Sequence, residues 1–240
     1  MSILNPSGRA PIVGDVTSFE CRMVDEVWPW AENNSAAIAA NWATAKARKP
    51  ELFDGEVIIA RSVEITGSQL VSTHTIVSYS ALMYWQSLNF PPAGAFNLFG
   101  AAAVVTSDGA LLFGRMAAHT NNAGNLYFPC GTPDRADIVD DRLDIEGSIL
   151  RELDEETGLG AYLTATDDRW IVWDGGLFGC MRRYDTALDA AQAAEAVAAY
   201  LAKDEKPELS EVVFARAMSD IDQAVTPAYA RAIASQILPD

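Results

Sequence analysis

The segment that most constrains this chain is an amphipathic stretch, residues 144–158, with three glutamates on one side. Its apolar residues recur at helical spacing and form one stripe. They are Ile145, Ile149, Leu150 and Leu153. Glu152, Glu155 and Glu156 are spaced i, i+3 and i+4, so their carboxylates emerge together beside that stripe. Gly158 can end the helix in a left-handed C-cap. The pattern predicts a helix that packs on a core and presents three carboxylates to one site.

Three neighbouring carboxylates need a counter-charge. Like charges at i, i+4 destabilise a helix by about 0.2 to 0.5 kcal/mol, and acidic groups near its C-terminus also oppose the helix dipole. Arg151 is an i, i+4 partner for Glu155, but one guanidinium cannot neutralise three carboxylates. Mg²⁺ or Mn²⁺ binds carboxylate oxygens and retains water and phosphate as further ligands. Taken alone, the glutamates leave two interpretations open, a divalent metal site and a solvated acidic surface.

The longer pattern favours the metal site. Residues 151–159, RELDEETGL, resemble the second half of the Nudix box, G-x5-E-x7-R-E-U-x-E-E-x-G-U, where U is aliphatic. Chance agreement of the five fixed letters is on the order of 10⁻⁷ per window. The resemblance implies that Glu152, Glu155 and Glu156 are catalytic and bind the metal. It also implies that Arg151 orients these glutamates through ion pairing, within a mixed-sheet α/β/α sandwich.

The first half of the box departs from the family pattern. Counting back from Arg151, the box glutamate falls on Leu143 and the box glycine on Asp137. Gly131, in a Pro-Cys-Gly stretch, is the alternative glycine, but it lies six positions too far from the helix. Residues 135–141 are then an acidic insertion, for which we expect a mobile lid or a loop on the metal side. The candidates to replace the missing glutamate are Asp137, Asp140 and Asp141.

The remaining pattern predicts an α+β fold, because helices and strands alternate without strict βαβ order. Helices are expected over residues 32–47, 81–88, 190–203 and 227–237. Strand pairs are expected about residues 66–68, 107–109 and 174–176, with further strands in NLYF and EVVFARAM. We predict a boundary near residue 93. Residues 1–93 form an N-terminal helix and β-hairpin extension, and residues 94–240 form the Nudix hydrolase domain.

Residues outside the helix complete the predicted site. The resemblance implies a further carboxylate from outside the box that assists the attacking water, and Glu211, just before the apolar strand, is the candidate, with Glu208 in reserve. Arg115 and Arg135 are candidates for binding substrate phosphates, because guanidinium groups suit oxyanions. His119 lies in a polar stretch where it either contacts substrate or is plain surface.

Bulk properties restrict the partners. The chain has a net charge of −16 with only 17 Lys and Arg, which argues against a long nucleic-acid backbone as ligand. A small phosphorylated molecule remains compatible, since a bound cation reverses the local sign of an acidic pocket. No apolar run approaches the length of a membrane span, and the N-terminus lacks a signal-peptide pattern. We therefore expect a cytoplasmic protein without a membrane partner.

The expected function is hydrolysis of the pyrophosphate linkage of a nucleoside diphosphate joined to another moiety. Trp42, the PELFDG stretch at residues 50–55 and the stretched box resemble the UDP-glucose pyrophosphatase branch, which implies a UDP-sugar substrate. ADP-ribose, dinucleotides and coenzyme A are rival substrates, and a non-catalytic Nudix-like ligand sensor is the alternative class. The isomerase branch that shares this fold is the least favoured alternative. It needs its own catalytic cysteine and glutamate, and Cys130 is the only thiol near the box. The N-terminal unit is otherwise a structural addition or a homodimer contact.

Overall fold

The computed structural model describes residues 10–120 and 122–240 of the 240-residue chain. The strands are β1 Ile12–Asp15, β2 Ser18–Met23, β3 Glu56–Thr66, β4 Gln69–Ser78, β5 Asn97–Val105, β6 Leu111–Met116, β7 Leu126–Tyr127, β8 Cys130–Gly131, β9 Ile138–Val139, β10 Arg142–Leu143, β11 Leu163–Asp174, β12 Leu177–Thr186 and β13 Leu209–Ala215. The helices are α1 Pro29–Asn33, α2 Ser35–Arg48, α3 Tyr79–Ser87, α4 Ile145–Thr157, α5 Ala190–Leu201 and α6 Ala228–Ala234. Two mixed sheets with surrounding helices confirm the predicted α+β class. Across the described residues, every helix is too short or too polar to cross a bilayer.

The larger sheet has the order β1-β11-β12-β5-β6-β13. Strands β5 and β12 are parallel, and the other neighbours in this order are antiparallel. The predicted turn between β5 and β6 is present, with Gly109 at φ 80, but these strands pair only at Val105 and Leu111. Beyond that pair they separate, and β8 pairs with β5 while β7 pairs with β6. This opening places the Cys130–Gly131 strand beside α4.

Helices cover both faces of this sheet. Ile149 and Leu153 of α4 and Val197 of α5 belong to the apolar cluster on one face, and Tyr229 and Ile233 of α6 belong to the cluster on the other. Fully burying side chains of this size stabilises the fold by about 1.5 to 3 kcal/mol each. The layers therefore form an α/β/α sandwich.

Close packing of α4 depends on a residue without a side chain. A methyl group at Gly100 of β5 would approach within 2.6 Å of Cγ1 of Ile149. Real Cβ contacts are not that short, so a larger residue here would push the helix off the sheet. Gly100 thereby fixes how near the glutamate helix lies to the strands.

The smaller sheet has the order β3-β4-β2-β10-β9. Its β3–β4 hairpin turns at Gly67 with φ 63, which confirms the predicted turn. The acidic insertion supplies β9, which forms a hairpin with β10 just after the insertion, and the turn residues Asp140 and Asp141 have φ 48 and 58. Two successive positive φ values suit a tight two-residue hairpin. The insertion and the two residues after it thus contain a small hairpin that extends the N-terminal sheet through Arg142, opposite Arg22. The expectation of a mobile lid or a loop on the metal side stays a prediction.

The two halves of the chain exchange strands. Strand β1 pairs with β11 in the larger sheet, whereas β10 pairs with β2 in the smaller one. One apolar cluster contains Cys21 and Ile58 from the first half together with Leu143 from the second. The boundary near residue 93 remains a prediction, and the segments on its two sides share a core.

Candidate active site

The glutamate helix α4 forms as the sequence predicts. Asp144 caps its N-terminus by accepting a hydrogen bond of 2.9 Å from the backbone N–H of Gly147, and Gly158 ends it in the left-handed region at φ 67. Its stripe of Ile145, Ile149 and Leu153 is buried, whereas Leu150 is 40% exposed. The buried stripe is therefore narrower than the predicted one. The side of the helix that carries the glutamates faces β8 and the segment after α5.

Glu156 is the most enclosed of the three glutamates, with 8% of its surface exposed. Its Oε2 accepts a hydrogen bond of 3.2 Å from the backbone N–H of Cys130. Burial raises the pKa of Glu156 well above its usual range, and the negative charges of Glu208 and Glu152 raise it further. A buried carboxylate facing two other carboxylates is a position where a cation would stabilise the ionised form.

Arg151 holds the other two glutamates. Its guanidinium forms an ion pair with Oε1 of Glu152 at 2.9 Å and donates to Oε2 of Glu155 at 3.2 Å. It also binds Asp137 in a two-pronged pair, with Nη2 at 2.9 Å from Oδ2 and Nε at 3.1 Å from Oδ1. The hydrogen bond to Asp137 is the main cause that raises the pKa of Arg151. Arg151 therefore lies among three carboxylates, one of them from outside the helix.

Asp137 is the member of the acidic insertion that reaches the site. Its side chain is 4% exposed, and it accepts hydrogen bonds from Ser148 Oγ at 3.1 Å and from the backbone N–H of Asp134 at 3.0 Å. Asp140 and Asp141 lie at the tip of the β9–β10 hairpin instead. The short 3-10 turn before the hairpin thus brings one aspartate back to Arg151.

Gly131 lies directly against Glu152. A methyl group at this position would come within 2.1 Å of Cδ of Glu152, so any larger residue would displace that carboxylate. Burial raises the pKa of Glu152, and the ion pair with Arg151 opposes this shift. Gly131, the alternative glycine of the stretched box, therefore lies beside the helix through β8 although it is farther away in sequence, and its assignment as the box glycine stays a prediction.

A cavity of about 180 Å³ lies beside the helix and is strongly acidic. It is lined by Glu152, Glu155, Glu156, Tyr200, Leu201, Asp204, Pro207 and Glu208. Among the described residues, five carboxylates and no lysine or arginine line it, and an all-oxygen donor set of this kind fits Mg²⁺ or Mn²⁺. In the described part of the chain, no three acidic, histidine or cysteine side chains converge closely enough to form a finished metal site. The carboxylates line one cavity, and their side chains would have to move to coordinate an ion.

A larger cavity of about 650 Å³ adjoins the first, because Glu156 and Glu208 line both. Its other walls come from both halves of the chain, including Lys49, Phe53 and Tyr79 from the first half. Burial raises the pKa of Tyr79, and the charge of Glu208 contributes. The cavity therefore joins the acidic helix to the N-terminal segment.

The N-terminal residues that resemble the UDP-glucose pyrophosphatase branch lie at this larger cavity. Trp42 packs edge-on against Tyr79, with ring centroids 6.3 Å apart, and Glu51, Leu52 and Phe53 of the PELFDG stretch line the wall. Trp42 thus supports the wall from behind, and the PELFDG stretch forms part of its surface.

Three predicted site residues lie elsewhere. Arg115 and Glu211 face each other across β6 and β13 and form an ion pair of 2.6 Å, and neither lines the two cavities. Arg135 pairs with Glu56 at 2.6 Å in a separate groove.

The pairing of β6 with β13 shifts between Leu209 and Glu211. Glu208, before this irregularity, lines both cavities, and His119 lines the larger one.

Three solved structures illustrate what this chain is similar to. They are the MutT protein from Methanosarcina mazei Go1 (18% identity, 59% of this chain and 92% of that chain, TM-score 0.36), the Nudix hydrolase RenU from M. smegmatis (15%, 59%, 86%, 0.38) and the Nudix domain of Shewanella oneidensis NrtR complexed with ADP ribose (17%, 65%, 88%, 0.31). No family model and no curated protein matches the chain. At these identities and TM-scores the likeness does not indicate what the chain acts on, and function is inferred from the site itself.

Proposed function

We propose that this chain is a Nudix-type hydrolase that cleaves the pyrophosphate linkage of a nucleoside diphosphate joined to another moiety, with Mg²⁺ or Mn²⁺ as cofactor. The observation that carries the proposal is that Glu156 and Glu208 each line two adjoining cavities. Both line an acidic cavity in whose described lining no lysine or arginine occurs, and both also line a cavity of about 650 Å³. A metal held in the first can thereby meet a phosphate bound in the second.

Each polar group of the site has a part in this proposal. Glu152, Glu155 and Glu156 would hold the metal, which supplies positive charge to the phosphates and lowers the pKa of water. Arg151 fixes the rotamers of Glu152 and Glu155 through its ion pairs. The carboxylate of Glu208 accepts the proton of the attacking water. Support for Glu208 is its place on both cavities, whereas Glu211 is engaged by Arg115.

The role of Glu208 can be separated from that of Glu211 by two matched variants. Glu208→Gln should lower kcat about 100-fold with KM within about threefold, because a positioned general base contributes on the order of 10² to 10⁴. Glu211→Gln should leave kcat within about twofold of the unaltered protein. Steady-state kinetics with the best substrate measures both. An unchanged kcat in Glu208→Gln, or a larger loss in Glu211→Gln, would contradict the assignment.

The substrate we propose is a UDP-hexose, cleaved to UMP and a hexose 1-phosphate. Support comes from the N-terminal resemblance, whose PELFDG residues line the larger cavity. The same cavity also presents the amide side chains of Gln86, Asn97 and Asn122. Hydrogen-bonding groups of this type discriminate strongly between bases and between sugars, because a mismatched ligand leaves them unpaired.

Hydrolysis of a substrate panel tests the proposal as a whole. With Mg²⁺, release of a nucleoside monophosphate from UDP-glucose or UDP-galactose should exceed that from ADP-ribose and coenzyme A by at least about tenfold in kcat/KM, which is about 1.4 kcal/mol. Chelation of the metal should abolish it. A tenfold preference for an adenine compound would refute the UDP-hexose and leave the pyrophosphohydrolase standing. Binding of a panel compound without any turnover would instead indicate the ligand-sensor class.

A further inference from the structure

Two lysines line the larger cavity, and among the described residues neither forms an ion pair with a carboxylate. Lys49 and Lys206 are the only lysine or arginine residues among the described side chains that line it, whereas Glu51, Glu156 and Glu208 supply negative charge. Lys49 comes from the N-terminal segment and Lys206 from the loop between α5 and β13. We propose that these two lysines bind the phosphate groups of the substrate, a role that rests on the proposed pyrophosphohydrolase function.

The ammonium groups of both lysines are available for a ligand. Every ion pair of the described residues uses an arginine. Lys46, by contrast, donates to the carbonyl oxygens of Pro50 and Leu52 at 2.8 and 2.9 Å, and Lys203 lies over the ring of Tyr200 at 6.0 Å. Within the described part of the chain, Lys49 and Lys206 are the cavity cations without such a commitment.

A diphosphate bound in the larger cavity needs positive charge nearby to offset its own negative charge. A diphosphate brings about two negative charges into a cavity that already holds carboxylates, in a chain with a net charge of −16. The metal proposed at the glutamates offsets the acidic end only. The guanidinium groups expected for this task are neutralised elsewhere, Arg115 by Glu211 and Arg135 by Glu56. The two lysines supply the remaining positive charge.

Lys49 is held in place by its own loop. It forms the C-cap of α2, where its N–H donates to the carbonyl of Ala45 at 2.9 Å. Its own carbonyl accepts from Leu52 N–H at 3.1 Å, and Lys46 fixes the two carbonyls that follow. The fixed backbone leaves only the Lys49 side chain to be ordered on binding. Because Lys206 comes from the other half of the chain, a bound diphosphate would connect the N-terminal segment to the glutamate site.

Binding of inorganic pyrophosphate to the full-length protein tests the proposal without requiring turnover. In titration calorimetry with Mg²⁺, Lys49→Ala and Lys206→Ala should each weaken binding about tenfold, which is about 1.4 kcal/mol. Lys49→Arg and Lys206→Arg keep the charge and should stay within about threefold. Lys203→Ala is the matched control and should leave affinity unchanged. With the best panel substrate, the alanine variants should raise KM about tenfold with kcat within about twofold, and added salt should shrink this difference.

The outcomes separate this inference from the function on which it rests. If the unaltered protein hydrolyses a panel compound but both alanine variants bind pyrophosphate as tightly as it does, the lysine assignment fails alone. If the alanine variants lose kcat with KM unchanged, the lysines do not act through ground-state phosphate binding. If the unaltered protein neither hydrolyses a panel compound nor binds pyrophosphate, both proposals fall. Weaker binding in both alanine variants, with recovery by arginine, supports the lysine pair.

Discussion

Glu156→Gln and Glu152→Gln should each lower kcat at least about 100-fold while the protein remains folded. Each change removes the negative charge of a proposed metal ligand but keeps the size of the side chain. Glu156 faces two other carboxylates, and Glu152 lies between Arg151 and Gly131. Steady-state turnover at saturating Mg²⁺ measures the effect. Retention of more than about a tenth of the activity by both variants, a loss below about 1.4 kcal/mol of barrier, would contradict the metal-site assignment.

Stability separates a local effect from unfolding in these variants. Because burial and neighbouring charges raise the pKa of Glu156, its ionised form destabilises the fold, and this cost grows as the pH rises through the folded-state pKa. Glu156→Gln removes the charge, so its free energy of unfolding at neutral pH should equal or exceed that of the unaltered protein. Glu195→Gln, an exposed change on α5 outside both cavities, is the control and should alter neither turnover nor stability.

Much of the fold could be predicted because its signals are local. The apolar spacing of α4 and the glycine after it determine the helix and its end. Turns at Gly67, Gly109 and Gly175, each with positive φ, mark the three predicted hairpins. These features depend on neighbours within a few positions, which a sequence displays directly. Strands β1 and β2, by contrast, are short and largely half-exposed, and their partners lie far away in sequence.

The surroundings of each site residue are harder to predict, because they depend on strand register. Near Glu208 and Glu211 the pairing of β13 with β6 shifts, so the two glutamates reach different surroundings. A shift of one residue reverses the face to which a side chain points. The family resemblance and the place beside the apolar strand favour Glu211, whereas Glu208 lines the cavities.

The acidic insertion shows the same limit. Its three aspartates have similar sequence surroundings, but only Asp137 precedes the β9–β10 hairpin, in a 3-10 turn capped by Asp134. The turn directs Asp137 inward to Arg151, and the hairpin carries Asp140 and Asp141 to its tip. Sequence distance from the helix could not separate them, since the insertion pairs with the N-terminal sheet through β2.

Asp137→Asn should be the most destabilising of the single changes considered. Removing one charge of a buried ion pair costs about 3 to 5 kcal/mol, and the 32% exposure of Arg151 reduces the expected loss to about 2 kcal/mol. The amide also places an N–H where Arg151 and Ser148 now donate, so at least one donor loses its acceptor. Arg151 would then pair more closely with Glu152 and Glu155, and kcat should fall about tenfold because the proposed metal-binding glutamates lose their geometry.

Asp140→Asn is the matched control for this prediction. It makes the same chemical change three positions away, at a hairpin tip where asparagine tolerates the positive φ of 48. Urea denaturation should therefore show a lower midpoint with an unchanged slope for Asp137→Asn and no shift beyond about 0.5 kcal/mol for Asp140→Asn. Equal midpoints in the two variants together with an unchanged kcat would show that Asp137 does not hold Arg151. A tenfold loss of kcat with unchanged stability would instead mean that Asp137 acts on the glutamates without supporting the fold, since the ion pair would then orient Arg151 at no net gain in folding energy.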